Sequence, residues 1–85
     1  MTIAETVLPS GQFARLSPIT TGDVAVASQA SSGFLMVVWV AARCVTLDGE
    51  RLSADQWLAL EYEDFAPIQH MILNTLQAIS RNGVA

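Results

Sequence analysis

The uninterrupted apolar run Phe34-Leu35-Met36-Val37-Val38-Trp39-Val40-Ala41-Ala42 constrains this chain more than any other feature. It has no polar face, so the rest of the fold must cover it. Buried strands usually end after about 4–8 residues, whereas this run continues through Arg43 into Cys44 and Val45. Its length therefore favours a helix, although Val37, Val38 and Val40 are β-branched and pull towards a strand. The expectation is a fully buried central helix over about 33–44, with a buried strand as the alternative, because periodicity cannot separate the two in a continuous run.

A chain of 85 residues has room for one domain, spanning 1–85, that buries roughly 60–65% of its unfolded surface. It is 52% hydrophobic and 14% charged, with a mean hydropathy of +0.41. So small an interior cannot hold that surplus, and some apolar surface is expected to face a partner or a second copy. The net charge is −4, lysine is absent, and the cations Arg15, Arg43, Arg51 and Arg81 are scattered. Nucleic-acid binding rests on clustered cations, so that class is disfavoured. Met1-Thr2-Ile3-Ala4-Glu5 lacks the features of a secretion signal, and the central run is about half the ~20 residues of a membrane helix. A soluble, cytoplasmic protein is the expectation. Cys44 is the single cysteine and sits in apolar company, which suits a buried, inert thiol.

Thr6-Val7-Leu8 and Gln12-Phe13-Ala14-Arg15-Leu16 flank the turn-forming Pro9-Ser10-Gly11 and predict a β-hairpin over about 6–16. Thr20 with Asp23 has capping-box spacing, Ile19 and Val24 have that of a hydrophobic staple, and a helix is predicted over about 21–30, broken by Ser31-Ser32-Gly33. Asp48-Gly49, between Val45-Thr46-Leu47 and Glu50-Arg51-Leu52, predicts a short type I′ reversal. Ser53 with Gln56, and Leu52 with Trp57, repeat the box and staple and open a helix over about 54–60. Pro67 restricts the last helix to a start near residue 65, since proline is tolerated in the first turn. That helix, over about 65–81, carries Phe65, Ile68, Ile72, Leu76 and Ile79 on one face and His70, Asn74, Gln77 and Arg81 on the other, with Arg81 and Gly83 suited to its end. The fold class is thus α+β: an N-terminal β-hairpin followed by a mainly α-helical small domain of about four helices and a short Asp-Gly turn.

Groups that carry chemistry are sparse. His70 is the only histidine and lies on a polar helix face without a ligand partner at metal spacing. Asp48-Gly49-Glu50 with Asp55 lacks the alternation of a calcium loop. Glu61, Glu63 and Asp64 could form a paired-carboxylate site, but three carboxylates before a helix also complement its dipole. No catalytic, cofactor or metal residue is assigned, and an enzyme is the least supported class. Phe65, Ile68 and Ile72 should hold the last helix on the core, which leaves Met71, Leu73 and Leu76 as the candidate partner contacts.

The order of signals resembles the small tail assembly chaperones of long-tailed bacteriophages and prophages, particularly the Mu-like tail assembly protein family. The features are Val7-Leu8-Pro9-Ser10-Gly11, then Arg15-Leu16-Ser17-Pro18-Ile19-Thr20-Thr21-Gly22-Asp23, then Ala41-Ala42-Arg43-Cys44-Val45-Thr46-Leu47-Asp48-Gly49-Glu50. Leu52-Ser53-Ala54-Asp55-Gln56-Trp57-Leu58-Ala59-Leu60, the acidic Glu63-Asp64-Phe65 and a closing helix complete a likeness running from about Val7 to Ile79. The resemblance implies a non-enzymatic role in building the tail, by coating the long helical tape measure protein while tube subunits assemble around it. A small homo-oligomeric structural or regulatory subunit, burying the same apolar surplus against itself, is the alternative.

Overall fold

The computed structural model describes the backbone of residues 2–83 and the side chains of residues 2–78. Strands β1 (Ala4–Val7) and β2 (Phe13–Leu16) lead into helices α1 (Thr21–Ala27) and α2 (Gly33–Cys44). Strands β3 (Val45–Leu47) and β4 (Glu50–Arg51) follow, and helices α3 (Ala54–Leu58) and α4 (Tyr62–Gly83) close the chain. The fold class is α+β, as the sequence implies.

The two reversals belong to one antiparallel sheet of order β1-β2-β3-β4. Pairing of Leu16 with Val45 and of Ala14 with Leu47 joins them, and the α1–α2 pair is the connection between β2 and β3. Ala14, Leu16, Val45 and Leu47 are buried. The register places Glu5 opposite Arg15 and Arg15 opposite Thr46 on the other, solvent-facing side. There Arg15 Nε lies 3.6 Å from Glu5 Oε2, and its guanidinium sits 5.1 Å from the centre of the Phe13 ring. Helices therefore cover one face of the sheet. The β1–β2 hairpin is thus held by a third strand as well as by helices, which explains how a short hairpin with imperfect alternation persists.

Local capping chemistry places the short helices. Thr20 Oγ1 accepts the Asp23 N–H at 3.2 Å, and Asp23 Oδ2 accepts the Thr20 N–H at 2.9 Å. At α3, Ser53 Oγ accepts the Gln56 N–H at 3.2 Å, while Gln56 Oε1 accepts the Ser53 N–H at 2.8 Å. Asp48 and Gly49 have φ of 51° and 85°, the two positive angles that a type I′ turn requires. Because α3 is a single short helix that carries Trp57, Ser53→Ala should destabilise the protein by about 1 kcal/mol. The denaturation midpoint should fall at unchanged slope; an unchanged midpoint would mean that the cap contributes nothing.

Several boundaries differ from expectation. Helix α1 stops at Ala27 rather than residue 30: Gln29 and Ala30 donate to carbonyls three residues back, and Ser28 Oγ donates to the Ala25 carbonyl at 2.9 Å. Helix α3 likewise ends at Leu58, two residues early. Helix α4 begins three residues before the expected start, because the Glu61 carbonyl accepts the N–H groups of both Asp64 and Phe65. Pro67 consequently lies in the second turn. There it forfeits the bond that would end on the Glu63 carbonyl, a cost limited by Glu63 being exposed to water. The helical backbone reaches Gly83, whereas the side-chain placements expected for Ile79 and Arg81 lie outside the described residues.

Helix α2 has the expected bounds but is not fully buried. Val37, Val38, Val40, Ala41 and Cys44 are in the core, whereas Phe34 is 41% and Trp39 42% exposed. Helices α1, α3 and α4 and the sheet contact α2 from several sides, yet a domain this small cannot close around a whole helix. The apolar surplus thus emerges on the central element itself.

Candidate functional site

Four of the chain's aromatic side chains gather where α2, α3 and α4 meet. Phe34 of α2 lies 5.6 Å from Phe65 of α4, edge to face, and 6.4 Å from Tyr62. Phe65 in turn meets Trp57 of α3 at 6.0 Å. These rings, with Leu58 and Leu60, line a hollow of about 150 Å³. Its deep side is solid, since Trp57 is 1% and Phe65 3% exposed. Its mouth is apolar and open to water: Leu58 is 50% and Tyr62 62% exposed. Among the described residues no basic side chain lines it, while Asp55, Glu61 and Glu63, near in sequence to Leu58 and Tyr62, are exposed. Trp57 Nε1 is buried and has no hydrogen-bond partner among the described residues.

The residues expected to contact a partner separate in the structure. Leu73 is 36% exposed. Met71 and Leu76 are half-buried and pack against the core, behind Phe65, Ile68 and Ile72, which are buried as expected. Met71 and the exposed His70 also line a second, more open groove of about 340 Å³ between β1 and α4. A third, of about 420 Å³, lies beside Trp39 and includes Leu52, Arg43 and Asp55.

The carboxylates are likewise dispersed. Asp64 turns inward and accepts the Ser10 N–H at 3.0 Å, pinning the β1–β2 turn to α4, whereas Glu61 and Glu63 stay in water. Asp48 Oδ1 accepts the Phe13 N–H at 2.9 Å. Asp23, read from sequence only as part of a cap, also joins α1 to the end of α2. Its carboxylate accepts Arg43 Nε at 2.7 Å and the Cys44 thiol at 3.2 Å. The Thr20 backbone N–H first, then Arg43, holds the Asp23 carboxyl far below the usual carboxylate range, against the opposing effect of burial. Burial, reinforced by the neighbouring Asp23 carboxylate, pushes the Cys44 thiol up to about 12. Cys44 therefore remains a protonated donor at neutral pH rather than a thiolate nucleophile.

Among the described residues no group of three or more His, Cys, Asp or Glu side chains is placed to hold a metal ion. None of their helices is long and apolar enough to cross a membrane. Sequence reasoning missed the roles of Phe34, Leu58 and Tyr62. The available signal was the pair Trp57-Leu58: neighbours on a helix point about 100° apart, so a single turn that buries one presents the other to solvent. The chain matches no family model, no curated protein and no solved structure.

Proposed function

We propose that this chain is a non-enzymatic assembly chaperone of a long-tailed phage or prophage, acting in the bacterial cytoplasm on the tape measure protein. The observation that supports this reading is the concentration of exposed apolar side chains. Phe34, Leu58 and Tyr62 surround one hollow, and Trp39 and Leu73 add further exposed surface on α2 and α4. Such surface suits a client whose own apolar helix faces lack partners until a tube closes around them. The resemblance of the sequence, in its order of cap and turn signals, to the tail assembly chaperones supports this choice of client.

Calorimetry against overlapping fragments of a tape measure protein encoded beside this gene, with light scattering of the free protein, tests the reading. Self-association in isolation and micromolar binding are expected, with a negative heat-capacity change from apolar burial. Leu73→Asp should weaken binding while the melting temperature stays close to that of the wild type. A monomer that binds no fragment would defeat the proposal, and a stable oligomer that binds none would replace it with the homo-oligomeric subunit.

A further inference from the structure

The hollow, which Tyr62 lines, stands at one end of a face of α4. Tyr62 Oη and Gln69 Oε1 are 3.0 Å apart, which puts positions separated by seven residues on one face. Leu73 lies eleven positions after Tyr62, and at 100° per residue it returns to within about 20° of the same face, roughly 16 Å along the axis. The exposed Tyr62 and Leu73 thus mark two ends of one track, with the hollow at the first.

The size and chemistry of this track restrict its occupant. An apolar cavity of about 150 Å³ takes one benzene-sized group, so the hollow suits a single large side chain. The exposed carboxylates of Glu61 and Glu63 flank Tyr62, which lines the hollow. Charge complementarity then favours cations beside the anchor and disfavours carboxylates. We infer that the hollow and the Tyr62–Leu73 stripe form a docking track for an amphipathic helix of a partner. One large apolar side chain of that helix enters the hollow beside Lys or Arg, and a second, about three turns away, meets Leu73. This rests on the chaperone reading and narrows it to a class of client segment.

The test uses alanine-based helical peptides of about 20 residues, long enough to hold helix in water. The first carries two Phe residues about eleven positions apart with lysines flanking the first of them. A second has glutamates in place of those lysines, and a third has the Phe residues about six positions apart, on different faces. The first should bind the full chain, and the other two should bind at least about tenfold more weakly, or ~1.4 kcal/mol. Leu58→Asp at the mouth, and independently Leu73→Asp at the far end, should weaken the first peptide by a similar factor while circular dichroism keeps its helical signal. The double substitution Glu61→Lys with Glu63→Lys, which turns both flanking carboxylates into cations, should reverse the preference between lysine and glutamate peptides and serves equally if Leu58→Asp does not fold. Equal binding of all three peptides, or no binding of the first, overturns the track. Tape measure fragments that bind wild type and both Asp variants alike would remove the track and leave the chaperone reading standing. Peptide binding with no fragment binding would do the reverse.

Discussion

Trp57→Ala should cost about 3–5 kcal/mol, a large part of the total stability of roughly 4–13 kcal/mol that a chain of this length commands. The indole is 1% exposed and stacks edge to face on Phe65, so its removal leaves a void where α2, α3 and α4 meet. Nε1 has no hydrogen-bond partner among the described residues, which allows the packing loss to be separated from hydrogen bonding, because Trp57→Phe breaks no described bond to that atom. The phenylalanine variant should therefore lose less, about 1–3 kcal/mol by reduced volume and repacking. Trp39 provides the contrast. At 42% exposure its replacement by alanine should move the urea midpoint far less than that of Trp57, although Trp39 lies in the run that reads from sequence as core. Equal shifts for the two alanine variants would contradict the placement of Trp39 at the surface.

What was legible in the sequence, and what was not, follows from how far apart the interacting residues stand. The cap pairs Thr20–Asp23 and Ser53–Gln56 and the Asp48-Gly49 turn are decided within a few residues, and the structure forms each of them. The bounds of α2 were legible for a similar reason, since the serines before it, Gly33 at its first position and the β-branched Val45 after it are local. The pairing of Leu16 with Val45 was not, because both strands also read as parts of separate hairpins and no local rule selects their common register. Pro67 misled in the opposite direction. Its local preference set a late start for α4, but burial of Phe65 and the bond from Ser10 to Asp64 reward an earlier turn enough to tolerate one missing helix bond. The hollow was least legible of all. It depends on which sides of α2 and α3 remain uncovered, and a continuous apolar run carries no pattern that encodes this. On α4 the pattern was present, since Leu76 shares the face of Phe65, Ile68 and Ile72, so grouping Leu76 and Met71 with Leu73 set it aside, and both pack against the core.

Asp23 should govern much of the acid sensitivity of this protein. Its folded pKa lies far below its unfolded value of about 3.9, so the unfolded chain binds more protons as acidity rises. The resulting stabilisation is complete above the unfolded pKa and declines as pH falls through about 5 towards the folded value. Cys44 sets the opposite limb. Its thiol, near 8.5 when unfolded, is pushed up to about 12 in the fold; stability is complete below the unfolded value and is lost as pH rises through that interval. One contact, Cys44 to Asp23 at 3.2 Å, is thereby weakened from both sides, with its maximum between about pH 5 and 8. Asp23→Ala at pH 7 should cost about 2–4 kcal/mol, combining loss of a cap with loss of charge-assisted bonds. The half-exposed Arg43 side chain returns to water and adds little penalty. Asp23→Asn retains a capping oxygen and should cost less, while flattening the acid limb; Cys44→Ala should flatten the alkaline limb. Urea unfolding of the three proteins across pH 3–10 separates these effects, because each variant should remove its own slope and reduce the other only by the part that the Asp23–Cys44 contact contributes. An Asp23→Asn protein that loses stability on acidification as steeply as the wild type would show that other carboxylates, not this junction of α1 and α2, carry the acid response.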